Sequence, residues 1–109
     1  MRIAIIGSRS LNIDISKFVS EKTTTIVSGG AKGIDRQAEK YADEKFIPKL
    51  IIKPEYDKYG NKAPLIRNKV IVNLADVIIA IWDGKSRGTK YTIDYAKKIG
   101  KDVRVYKIV

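Results

Sequence analysis

The chain contains no cysteine and no histidine. Without cysteine there is no disulfide framework and no thiolate chemistry, a composition that suits the cytoplasm. Without histidine, imidazole general-base catalysis, a Ser-His-Asp arrangement and the common zinc sites are excluded within these residues, and no metal site is expected. Acids are also scarce: 12 Asp and Glu stand against 22 Lys and Arg, a net charge of +10. That balance either favours an anionic partner such as nucleic acid or a nucleotide, or reflects a lysine-rich solvated surface. No block of five like charges forms a basic tail. No apolar run approaches the ~20 residues of a membrane span, so no membrane partner is expected. Residues 1–7 are too few and too strand-like for a signal peptide. A length of 109 residues supports one core, and a single domain over 1–109 is expected.

What is present alternates between strand and helix patterns. Residues 3–6 run apolar up to Gly7, as in a strand covered on both faces, and 24–28, 50–52, 77–82 and 102–108 read as four more strands. A short, weakly patterned helix is expected within 13–20, with Ile15, Phe18 and Val19 on its apolar side. A second runs from 34 to about 46 and aligns Ile34, Ala38, Tyr41, Ala42 and Phe46. After an irregular segment at 53–63, a helix from Pro64 to about 74 is expected to bury Ile66, Val70, Ile71 and Leu74. The last, over 89–99, buries Ile93, Ala96 and Ile99, with Gly100 at its C-cap. This alternation predicts an α/β fold: a single Rossmann-like, doubly wound sheet of five mainly parallel strands, order 3-2-1-4-5, with helices on both faces.

In that order the carboxyl ends of strands one, two and four are neighbours, at the switch point where ligands bind. Three polar turns fall there. Gly7, Ser8 and Arg9 follow the first strand, and Arg9 either forks onto a phosphate or is an ordinary surface arginine. Ser28, Gly29, Gly30, Ala31, Lys32, Gly33 and Asp35 follow the second. Glycines there either let a ligand approach the backbone or serve tight strand-to-helix packing, and free amides at a helix start favour an anion. Lys32 adds a full charge, while Asp35 is either a first-turn helix acid or a contact to a bound sugar or base. Asp83, Gly84, Lys85, Ser86, Arg87, Gly88 and Thr89 follow the fourth, with Ser86 or Thr89 as N-cap. Asp83 has three readings: a ribose hydroxyl, a metal-bound water, or Arg87 as its partner. Arg67 and Asn68 either clamp a phosphate and a base edge or form a solvated pair. Trp82 reads as core or rim packing rather than a stacking platform. The glycine spacing GGxxG is not the dinucleotide fingerprint, and Gly84-Lys85-Ser86 lacks the upstream glycine of a Walker A loop, since Ile79 stands there.

Three blocks, SGGAKGID at 28–35, PLIRNKVIVNLAD at 64–76 and WDGKSRGTKYTIDYA at 82–96, resemble the SLOG superfamily of Rossmann-like domains, in particular the small proteins grouped as DUF2493. The same blocks are similar to the core of the DprA/Smf DNA-processing proteins. The resemblance implies one pocket lined by the three turns and Arg67-Asn68, taking a nucleotide, a nucleotide-derived signal or nucleic acid. It implies no required cofactor, and a homo-oligomer. The LOG-type phosphoribohydrolases of this superfamily carry PGGxGTxxE in the last loop. Here that block reads GKSRGTKYT, with Thr92 where the catalytic glutamate would stand, so oxocarbenium-like chemistry loses its carboxylate. Three functions stay open: a non-enzymatic, sensor-type nucleotide-binding module, a single-stranded nucleic-acid binder of the DprA kind, and a small nucleotide hydrolase or N-glycosidase using Asp35 or Asp83.

Overall fold

The structure, a computed structural model, describes residues 1–108. β1 (Arg2–Gly7), β2 (Thr25–Ser28), β3 (Lys49–Ile51), β4 (Val77–Trp82) and β5 (Asp102–Lys107) form one wholly parallel sheet in the order β3-β2-β1-β4-β5. The inner strands are runs of Ile, Val and Ala buried on both faces, as a sheet covered by helices on each side requires. Ile3, Ile5, Ile26, Ile79 and Ile81 face α1 (Ile34–Glu44) through Ile34, Ala38 and Ala42. On the other face Ala4, Ile6, Val27, Ile78 and Ala80 meet α3 (Ala63–Leu74) and α4 (Arg87–Lys98) through Ile71, Val72, Ile93 and Ala96. The α/β class and the strand order are those the sequence predicts.

Several local expectations are corrected. The helix expected within 13–20 is a single 3₁₀ turn at Ser16–Phe18. Asp14 captures both the backbone N–H and the hydroxyl of Ser16, a local bond that competes with helix propagation. Phe18 covers the sheet instead, its ring centroid 4.5 Å from that of Tyr106 on β5. The irregular segment holds one helical turn, α2 (Tyr56–Tyr59), and a 3₁₀ turn at Gly60–Lys62 that leads directly into α3. On α3 the buried face is Ala63, Arg67, Ile71 and Val72, while Val70 is exposed and Ile66 and Leu74 are half-buried. Leu65, Ile66, Val70, Ile71, Val72 and Leu74 surround that helix, so apolar pattern alone gives it no direction. Trp82 is half-buried against the α3–α4 cluster and its Nε1–H donates to Ser86 O at 3.0 Å, which is rim packing.

Both amphipathic helices end in the same way. At α4, Gly100 adopts φ +77° and Lys101 N–H donates to Ala96 O at 3.0 Å. Ile99, expected to be buried, is exposed at this end. At α1, Ile47 N–H donates to Ala42 O at 2.9 Å, and the left-handed position falls on Phe46 at φ +55°. Phe46, expected on the buried stripe, is 94% exposed because the chain reverses at its Cα. Left-handed backbone costs a side-chain-bearing residue ~1–2 kcal/mol, against ~0.4–1 kcal/mol of unfolded-state entropy that a glycine adds. Phe46→Gly is therefore expected to raise stability by about 0.5–1 kcal/mol, read as a higher urea midpoint with an unchanged slope.

Candidate functional site

The carboxyl ends of β1 and β4 are fastened together by short polar side chains. Ser8 N–H donates to Ile81 O at 3.1 Å, and Asp83 N–H donates to Ser8 Oγ at 3.0 Å. Ser10 Oγ donates to Asp83 Oδ2 at 2.6 Å, and the amides of Lys85 and Ser86 both donate to Oδ1 at 2.8 Å. The hydroxyl of Ser10 first, then those two amides, hold the Asp83 carboxyl far below the usual range. Ser86 is the N-cap of α4: its Oγ accepts from Thr89 N–H at 3.3 Å. Asp83 thus organises the turn in which it stands.

The turn after β2 is shaped by close packing. Gly33 sits at φ +74°, and a Cβ there would lie 2.5 Å from Ser8 O and 2.6 Å from Arg9 O. At Gly29 a Cβ would lie 2.6 Å from Arg67 Nη1 and 2.9 Å from Asp35 Oδ2. These glycines let the turns and Arg67 meet one another. Gly88 differs, since a Cβ there would have nothing within 4 Å and the residue lines the cavity.

Arg67 is the centre of the site. It is buried at 8% exposure, which settles against a solvated pair with Asn68. Its Nη1 donates to Gly29 O at 2.6 Å and to Ile52 O at 3.3 Å, and its Nε donates to Asn68 Oδ1 at 2.8 Å. Asn68 Nδ2 donates to Thr92 Oγ1 at 2.9 Å, and the Thr92 hydroxyl donates to Gly88 O at 2.9 Å. One chain of hydrogen bonds therefore runs from the ends of β2 and β3 through α3 to the start of α4. Burial pulls the guanidinium below its ordinary pKa; Asp35 counters this and Arg9 adds to it. Asp35, in the first turn of α1, accepts Ala31 N–H at 3.1 Å. Burial pushes its carboxyl up, against the Ala31 bond and the nearby charge of Arg67.

These elements enclose a cavity of about 440 Å³. Of the residues singled out in the sequence, Gly7, Arg9, Ala31, Asp35, Arg67, Asn68, Asp83, Ser86, Gly88 and Thr89 line it. Ser8 and Ser28 are buried beneath, and Gly29, Gly30, Gly33 and Gly84 shape the turns from outside its wall. Lys32, Lys85 and Arg87 are exposed beyond it. Sequence reasoning missed Ser10 and the apolar floor of Ile6, Leu65 and Ile71. Ser10 was legible as a small polar residue in the same turn as Ser8; the floor depends on how α3 is rotated. Among the described residues no three acidic side chains gather to hold a metal ion, and no helix is long and apolar enough to cross a membrane.

Replacing Arg67 by Met leaves the carbonyls of Gly29 and Ile52 without their donor. We expect a loss of about 2–4 kcal/mol in denaturant unfolding. Asp35 gives a pH signature. Its native pKa lies above the ordinary 3.8, so the folded state binds the proton more tightly and stability falls as pH rises above 3.8. Asp35→Asn keeps an oxygen for Ala31 N–H and removes the buried charge. That variant is expected to be more stable than wild type at neutral pH, the difference shrinking as pH falls toward 3.8.

The sequence matches no protein-family model and no curated protein. Among solved structures it is similar to DNA processing protein A (DprA) from Streptococcus pneumoniae, with a TM-score of 0.76 and 24% identity over 95% of this chain and 49% of that one. It is also similar to DNA processing protein A from Helicobacter pylori, with a TM-score of 0.74 and 24% identity over 96% of this chain and 64% of that one. The chain thus spans between about half and two thirds of the length of these structures. What the three share is the fold: this chain has the Rossmann-like architecture found in the DprA proteins.

Proposed function

We propose that the crevice holds a phosphate of single-stranded nucleic acid and that the chain is a single-stranded DNA-binding protein of the DprA kind. The observation that carries this reading is an exposed Arg9 on the wall of a crevice that Arg67 also lines. Both residues line the same crevice, and neither forms an ion pair among the described residues, with Asp35 the nearby charge that counters Arg67. Arg9 is exposed on the crevice wall, with its side chain unbonded to the rest of the described residues. The unbonded guanidinium of Arg9 can fork onto a phosphate, while Arg67, whose Nε and Nη1 are engaged by Asn68, Gly29 and Ile52, adds its charge to the same crevice. The start of α4 at Gly88 adds partial positive charge on the opposite wall. A net charge of +10 draws the rest of a strand to the surface. The Helicobacter pylori neighbour has a single-stranded-DNA binding mode, and the three sequence blocks resemble the SLOG superfamily and its DUF2493 group. Both support the reading.

A free nucleotide is the second reading, favoured by the crevice's apolar floor and by Asp35, whose carboxylate is an acceptor for a sugar hydroxyl. Catalysis is disfavoured on chemical grounds. Both oxygens of Asp83 are engaged, one by Ser10 and the other by the amides of Lys85 and Ser86, and Thr92 stands where LOG-type enzymes carry glutamate.

The test is titration of a fluorescent oligo-dT and of labelled mononucleotides at two salt concentrations. Strand binding should weaken with salt at a log–log slope of ~0.7 per phosphate contacted. Arg9→Ala should weaken it, and Gly88→Leu, which fills open space in the crevice, should abolish it while leaving the fold intact. Asp35→Asn should tighten strand binding by removing a like charge. Oligonucleotide affinity indifferent to Arg9 and Gly88, beside saturable mononucleotide binding lost in Asp35→Asn, would establish the second reading instead.

A further inference from the structure

Four lysines stand over aromatic rings among the described residues, and only Lys69 stands over two. Its Nζ lies 5.8 Å from the ring centroid of Tyr91 and 5.4 Å from that of Tyr95. Asn73 Nδ2 donates to the Tyr95 hydroxyl at 3.1 Å, which holds the second ring. A cation is drawn to the face of an aromatic ring, so this ammonium is placed rather than free. It forms no ion pair among the described residues. α3 carries no acid, and the single acid of α4, Asp94, is paired with Lys90 at 2.8 Å. Lys69 is exposed, and so is Tyr91, at 37%.

This cluster continues the wall of the crevice. Leu65 on α3 and Gly88 on α4 both line the crevice. Lys69 follows Leu65 by four residues, and Tyr91 and Tyr95 follow Gly88 by three and seven. Each therefore stands one or two turns further along the same side of its helix. At ~1.5 Å of rise per residue, Tyr95 lies about 10 Å beyond Gly88. The surface between the two helices thus leads from the crevice past a placed cation and two tyrosine rings.

We propose that a single strand with one phosphate in the crevice continues along α3 and α4, setting a further phosphate on Lys69 and a base against Tyr91. The proposal rests on the nucleic-acid reading of the crevice and adds a second group of contacts to it. A single strand alternates charge with aromatic surface, and the same alternation is built into this track. Stacking on tyrosine is tolerant of sequence, because every base has a π-face. An acidic peptide would use Lys69 and leave Tyr91 without a partner. A mononucleotide held in the crevice would stop short of both.

The test is fluorescence anisotropy of the whole chain with a labelled dT octamer and with an abasic octamer, which keeps every phosphate and lacks the bases. Tyr91→Ala should weaken the dT octamer about tenfold and leave the abasic one unchanged. Tyr91→Phe should restore binding, since the ring and not the hydroxyl takes the base. Lys69→Met should lower the log–log salt slope of both octamers by ~0.7, one phosphate fewer. Alanine is the strongest helix former, so α4 should be kept, as far-ultraviolet circular dichroism will show. A dT octamer indifferent to Tyr91→Ala, while Arg9→Ala still weakens both probes, overturns the track and leaves the crevice reading standing. Equal losses of both octamers in Tyr91→Ala overturn it too, since they mark a structural role for the ring. If Arg9→Ala weakens neither probe, the crevice reading fails and the track falls with it.

Discussion

The guanidinium of Arg67 stands among the ends of β2 and β3, the first turn of α1 and the body of α3, and the geometry of each follows from it. A charge buried without partners costs several kcal/mol, so the surrounding chain has to supply acceptors. It does so with the carbonyls of Gly29 and Ile52 and the amide oxygen of Asn68. Gly29 must then lack a side chain, since a Cβ would strike both Arg67 and Asp35. The rotation of α3 is set by the same requirement: bringing Arg67 inward carries Ala63 and Ile71 with it and turns Val70 to solvent. Through Asn68 and Thr92 the constraint reaches the backbone of Gly88 on α4.

A second fastening, independent of the first, closes the other side of the crevice. Ser8, Ser10 and Asp83 join the tips of β1 and β4 and fix the turn that starts α4. Between these two networks the cavity is pre-formed, so a ligand would not have to order its walls before binding. The charges are arranged unevenly. Asp83 is engaged by Ser10 and by two amides of its own turn and Asp35 is buried, whereas Arg9 stands exposed on the wall of the crevice that Arg67 also lines. An anion entering there meets two guanidinium groups and a helix start. That asymmetry is the physical basis of the nucleic-acid reading.

Much of this was legible in the sequence, for identifiable reasons. The inner strands are continuous β-branched runs, and their alternation with helices restricts the topology, so the strand order and the convergence of the three turns follow. The face of α3 did not follow, because apolar residues surround that helix and only the partners of Arg67 choose its rotation. Phe46 satisfied the helical period of α1 yet falls on the residue where the chain reverses, a position that periodicity does not encode. Ser16–Phe18 lost its helix to a side-chain bond from Asp14, which acts locally and leaves no periodic trace. The role of Gly29 and Gly33 stayed open for a related reason: a glycine required by a neighbouring backbone or guanidinium looks, in sequence, the same as one cleared for a ligand.

The central claim is that an anionic strand enters the crevice rather than spreading over a lysine-rich surface. Nitrogen–proton correlation spectra that include the arginine Nε–H resonances, recorded while a short single-stranded oligonucleotide is added, test it most directly. The largest shifts are expected at Arg9, at the Nε–H of Arg67 and at the amides of Ser10, Gly88 and Thr89. Shifts distributed over the exposed lysines, with those five groups unmoved, would contradict it.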